Sequence, residues 1–214
     1  MLHRVISRAR WALLNIPWIR ESRERRAIQD WLCSGKAGAT PHAVKQANLR
    51  QLQRRYEVQT LVETGTFRAD MMVALGLYFD KLYSIELSEE LFNYSVQRCR
   101  DLKNVELWQG ASEDVLAEIC SKLKGRVLFW LDGHFSGGDT ALGKTECPVT
   151  SELDVIFSQS QITPIVLIDD AREFVGKRSY PTVAEIVQQA NQYSRMHVTV
   201  SDDAILIVPE CIYG

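Results

Sequence analysis

Three aspartates stand where two apolar segments stop. In RVLFWLDGHFSGG (126–138) the run 127–131 ends on Asp132, with Gly133 and His134 next. In PIVLIDDAREF (164–174) the run 165–168 ends on Asp169 and Asp170. Carboxylates gathered at neighbouring strand ends repel one another and resist ionising together. A hard cation with oxygen ligands removes that conflict, and Mg²⁺ keeps waters that a substrate can replace. The other reading is two acidic loop starts in solvent. His134 is a candidate general base, since an imidazole pKa of about 6.5 suits proton removal near neutrality. It can equally shape the loop or stand behind the metal. Lys144 and Asp139 in the same loop are further candidates.

Other polar residues sit at comparable places. In LVETGTFRAD (61–70), Gly65 lets the backbone turn closely past a ligand, and Glu63 lies beside it. An ordinary strand-to-helix turn explains Gly65 as well. The dinucleotide fingerprint G-x-G-x-x-G is missing: only Gly65 is present, and Phe67 and Ala69 follow at odd spacing. A single glycine flanked by an acid suits a ligand bearing an amine and hydroxyls. Glu86 closes KLYSIE and can accept two hydrogen bonds from a ribose diol, or simply be solvated. In GASED (110–114), Ser112 is expected to cap a helix, with its hydroxyl and nearby amides free to meet a heterocycle edge.

The elements needed to place these residues follow from hydrophobic periodicity. Strands are expected over 58–65, 81–88, 105–110, 126–132 and 164–170. Helices are expected over 42–55, 68–79, 89–102 capped by Ser88, 112–123, near 149–160, and from a Thr182 cap to about Tyr193. Residues 196–209 read as two strands joined by a tight turn at Asp202 and Asp203. Alternating strands and helices make a mainly parallel sheet with helices on both faces, closed by an antiparallel hairpin. Ligands of such sheets bind beyond the carboxyl ends of the strands, where the aspartates fall.

Composition fits one domain with an N-terminal extension. The chain has 214 residues, 46% apolar and 24% charged, with net charge −2, which gives no reason to expect nucleic-acid binding. Cys33, Cys99, Cys120, Cys147 and Cys211 are scattered without metal or disulfide spacing, so a reducing, cytoplasmic setting is expected. Residues 1–26 hold seven arginines against two glutamates, a charge of +5 that leaves −7 for the rest. Leu2, Val5, Ile6, Ala9 and Leu13 share one helical face there, and Pro17 is expected to end or kink that helix. Such a helix docks on the domain or on a second subunit, or lies on a membrane surface. Residues 1–40 are taken as the extension and 41–214 as the domain.

Taken in order, ETGTFRAD, SIEL, QGASED, LDGH and IDDA resemble the class I S-adenosylmethionine-dependent methyltransferases. Within them the likeness is to the metal-dependent O-methyltransferases of the catechol and macrocin-type sugar enzymes, over about residues 57–210. The resemblance implies a Rossmann-like fold with a seven-stranded sheet. Glu63, Gly65 and Thr66 would lie under the methionine part of the cofactor. Glu86 would hold the ribose hydroxyls, and Gly110, Ala111, Ser112 and Glu113 would border the adenine. Asp132, Asp169 and Asp170 would bind a divalent ion, with Asp132 also facing the cofactor. The sulfonium methyl would point at a hydroxyl of a small molecule or sugar held on that ion.

The chain departs from the family at Ala69, where glycine is frequent. It departs again at Phe135, where the catechol enzymes carry a lysine. The Asp169–Asp170 pair is closer to the sugar enzymes than an Asp-Asn pair would be. The polar loop 133–147 is expected to cover the acceptor with segment 171–181, favouring a polyol over a flat catechol. Competing functions are a nucleotide-dependent oxidoreductase and a non-catalytic S-adenosylmethionine-binding domain.

Overall fold

The computed structural model describes residues 17–36, 39–133 and 147–213. The expected N-terminal amphipathic helix and the candidates His134, Asp139 and Lys144 lie outside them. The described chain runs α1 (Pro17–Cys33), α2 (His42–Arg55), β1 (Thr60–Thr64), α3 (Asp70–Leu75), β2 (Lys81–Glu86), α4 (Glu89–Cys99) and β3 (Val105–Gln109). It continues with α5 (Ser112–Ser121), β4 (Gly125–Leu131), α6 (Val149–Phe157), β5 (Ile162–Ile168), a 3₁₀ turn (Ala171–Glu173), α7 (Val183–Tyr193), β6 (Met196–Ser201) and β7 (Ala204–Pro209).

The seven strands form one sheet in the order β3-β2-β1-β4-β5-β7-β6. β1 pairs parallel to both β2 and β4, and β4 pairs parallel to β5. The closing β6–β7 pair is antiparallel, turning through Asp202 and Asp203, both at positive φ (51° and 58°). Such an I′-type turn matches the twist of the flanking strands, and aspartate tolerates it better than most residues.

Each face of the sheet has its own core. On one face Val62, Ile85, Phe129 and Ile168 pack with Leu116 and Ile119 of α5, Leu153 of α6 and Ile186 of α7. On the other, Leu61, Leu82, Leu128 and Ile165 pack with Leu49 and Leu52 of α2 and Met72 and Leu75 of α3. Strands buried on both faces read as continuous apolar runs, which is why β4 and β5 stood out. The chain divides into two compact units, residues 1–48 and 49–214. Among the described residues, no helix is long and apolar enough to cross a membrane.

One helix lies where none was expected, and two local expectations are corrected. α1 runs from Pro17 to Cys33, over residues given no element above, while the helix expected to end or kink at Pro17 lies outside the described residues. Proline disrupts the turn preceding it, and a helix following it is permitted. The helix expected over 68–79 is only Asp70–Leu75. Phe67 and Ala69 sit at φ 49° and 57°, which bars helix before Asp70. After Leu75, the Asn104 amide donates to the carbonyls of Gly76 and Phe79, each at 2.8 Å, and holds the chain in a turn. Finally, Ser112 is the first residue of α5 and not its cap; Ala111 holds the cap position in extended backbone, with no side-chain hydrogen bond.

Candidate functional site

The carboxyl edge of the sheet gathers most of the residues singled out above. At the end of β1, Gly65 has φ +85°, and a β-carbon there would lie 2.5 Å from the carbonyl oxygen of Asp132. Glycine is thus required by its own backbone and by the exit of the neighbouring strand β4. The amides of Gly65 and Thr66 both donate to the Ile85 carbonyl of β2, at 3.0 and 3.1 Å. Ser95 Oγ of α4 donates to the Phe67 carbonyl at 2.9 Å and fixes the next bend.

Glu63 is 1% exposed and accepts a hydrogen bond from Ser84 Oγ, its register partner on β2. Ser84 Oγ lies 2.6 Å from Thr66 Oγ1, so a buried polar chain joins Glu63 to the loop after β1. Burial pushes the Glu63 carboxyl up to about 8, against the lowering effect of Ser84. A neutral acid in this place avoids the cost of an isolated buried charge. A serine inside the buried strand LYSIE was the available signal for this partner, since a buried hydroxyl requires one.

Glu86 ends β2 with both carboxylate oxygens engaged. One accepts the Phe67 amide at 2.7 Å and the other the Ser88 amide at 2.9 Å. Burial raises its pKa, while the amides of Ser88 and Phe67 oppose the rise. Each oxygen has a further lone pair, so the group stays competent to accept from a diol while held in one orientation. Beside it, the Gly110 amide donates to the Glu86 carbonyl at 2.9 Å. Gly110 has φ +148°, and a β-carbon there would meet Val115 at 2.7 Å. The first turn of α5, with Ala111, Ser112 and Glu113, follows directly.

At the ends of β4 and β5, Asp132, Asp169 and Asp170 each offer an oxygen, and these oxygens lie within 4.8 Å of one another. Asp169 is 1% exposed, and its amide donates to the Leu131 carbonyl at 3.0 Å. The Asp132 amide donates to the Thr64 carbonyl at 3.1 Å. Nearby, the fully buried Thr64 Oγ1 has no hydrogen-bond partner among the described residues. Three hard oxygen donors so close together fit Mg²⁺ or a similar divalent ion, and fit a soft-metal site poorly.

One residue here, Arg172, and its pairing with Asp203 escaped the sequence reading. Arg172 Nη1 donates to Asp170 Oδ1 at 2.8 Å and also pairs with Asp203 Oδ2 on the β6–β7 turn. Burial alone would lower the Arg172 pKa, but Asp170 and Asp203 raise it. The available signal was topological: β6 runs the same way as β5, so its terminal turn must return to this edge.

No family model matches the chain, and no curated protein matches it. Solved structures do. An O-methyltransferase from Bacillus cereus in complex with SAH aligns at TM-score 0.57 and 14% identity, covering 94% of this chain and 96% of that one. TomG from Streptomyces achromogenes, an O-methyltransferase involved in tomaymycin synthesis and solved with SAM, aligns at 0.55 and 15%, covering 87% and 89%. The SAH-bound methyltransferase PaMTH1 of Podospora anserina aligns at 0.54 and 15%, covering 86% and 87%. At such identities the likeness shows the fold, which is the Rossmann-like methyltransferase fold.

Proposed function

We propose that this chain is an S-adenosylmethionine-dependent O-methyltransferase acting on a hydroxyl of a small molecule or sugar, with a divalent ion held by Asp132, Asp169 and Asp170. The observation that carries the reading is the meeting of those three carboxylates at one edge of a methyltransferase fold. Glu86 stands on β2 of the same sheet, on the other side of β1 from β4.

Glu86 accepts the ribose hydroxyls with the lone pairs its backbone partners leave. Glu63, Gly65 and Thr66 shape the loop under the methionine part, Glu63 through Ser84 rather than by direct exposure. Gly110, Ala111, Ser112 and Glu113 border the adenine. Asp132, Asp169 and Asp170 would hold the divalent ion at the edge where the acceptor hydroxyl is bound. A bound divalent ion supplies Lewis acidity, lowering the pKa of the acceptor hydroxyl. His134 removes the hydroxyl proton as the oxygen attacks the methyl and the sulfur–methyl bond breaks to leave S-adenosylhomocysteine, with Lys144 and Asp139 as alternative bases.

Calorimetric titration with S-adenosylmethionine and with NAD tests the cofactor assignment. Binding of the first and not the second is expected. The reverse result would favour an oxidoreductase and overturn the reading.

A further inference from the structure

The β6–β7 hairpin does more than close the sheet. β7 runs antiparallel to β5, and β6 antiparallel to β7, so the turn Asp202–Asp203 stands at the same edge as Asp169 and Asp170. Asp203 reaches the β5 exit in three ways. Its carbonyl accepts the Ala171 amide at 2.7 Å, its Oδ1 accepts the Arg172 amide at 2.9 Å, and its Oδ2 pairs with the Arg172 guanidinium. That guanidinium in turn holds Asp170 Oδ1 at 2.8 Å.

Asp170 itself is left-handed, at φ 52° and ψ 49°. That conformation is disfavoured for a residue with a β-carbon, for aspartate less than for most, and surrounding contacts help to hold it. The next two amides along the chain, at Ala171 and Arg172, are the two that Asp203 binds. Relaxation of Asp170 to extended backbone would carry its carboxylate away from Asp132 and Asp169. Arg172 meanwhile fixes one Asp170 oxygen and offsets one charge of a crowded acidic site.

We propose that Asp203 is a positioning residue for the cation site, imposing through the Ala171 and Arg172 amides and the Arg172 side chain the backbone and rotamer that present Asp170. This rests on the reading that Asp132, Asp169 and Asp170 hold a divalent ion. Asp203 does not touch the ion or the acceptor.

Mn²⁺ binding to the full chain, followed by electron paramagnetic resonance of the free ion, tests it. Asp203→Ala should weaken Mn²⁺ by roughly 10–100-fold, the usual effect of removing a group that orients a metal ligand. S-adenosylmethionine affinity should stay unchanged, as should Mn²⁺ affinity in the turn neighbour Asp202→Ala. Asp203→Asn suits the same turn and keeps an acceptor for the Arg172 amide while losing the ion pair. It should fold and show a smaller loss, so it decides the matter if the alanine variant does not fold. Wild-type Mn²⁺ affinity in Asp203→Asn and Asp203→Ala, with only a lowered melting temperature, would overturn the inference while leaving the metal reading standing. No Mn²⁺ binding by the wild type would remove both.

Discussion

A β-carbon on Gly65 would stand 2.5 Å from the carbonyl oxygen of Asp132, so the loop after β1 and the exit of β4 share one close approach. The loop proposed to take the cofactor and the first candidate metal ligand are coupled through backbone. Gly65→Ala should therefore lose at least about 2 kcal/mol of stability, from its positive φ and the overlap together. Gly125 provides the comparison, with φ +72° and nothing within 4 Å of an added β-carbon. Gly125→Ala should lose only the backbone part, about 1 kcal/mol. Denaturant unfolding of both variants checks this, and equal losses would refute the coupling.

Glu86 is held by the amides of Phe67 and Ser88, so its removal acts twice. Glu86→Ala should weaken S-adenosylmethionine by about 1.5–3 kcal/mol, the range for hydrogen bonds to a charged group. It should also free the Phe67 amide and lower the melting temperature. Calorimetry on the folded variant reads the first effect, and unchanged affinity would refute the ribose assignment.

Glu63 makes stability depend on pH with a definite sign. Its folded pKa of about 8 lies above the ordinary 4.5. Between these values the folded chain keeps a proton that the unfolded chain has lost, so stability falls as pH rises through that window. Glu63→Gln should remove this fall and be the more stable protein at pH 8, by an amount on the order of a few kcal/mol. Thermal melts of both proteins at pH 5 and pH 8 check it. Parallel pH slopes would mean that Glu63 is not the group responsible.

What was legible in the sequence was local or periodic. The Thr182 cap was visible from its residue type before an apolar-periodic run, and the structure adds a full reciprocal capping box with Glu185. Asp202 and Asp203 marked a tight turn by residue type alone. The three aspartates were visible because each follows an apolar run, and the parallel pairing of β4 with β5 brings them together. The pairing of Arg172 with Asp203 was hidden because it spans 31 residues and depends on which way β6 runs. Ser84 was passed over because its reason, the buried Glu63, lies on another strand. The cap of α5 was misplaced by one residue, since Ala111 in extended backbone holds that position without a side-chain hydrogen bond that residue type could reveal.

Cation-dependent methyl transfer is read with labelled S-adenosylmethionine and a panel of sugars, glycosides and catechols. Label is expected in a hydroxyl acceptor, with its loss in EDTA and its return with Mg²⁺. Asp169→Ala should bind S-adenosylmethionine and transfer no label, because the residues assigned to the cofactor lie mainly on the β1, β2 and β3 exits. Transfer undiminished in EDTA and in Asp169→Ala would contradict the account and leave the three aspartates as acceptor-binding groups.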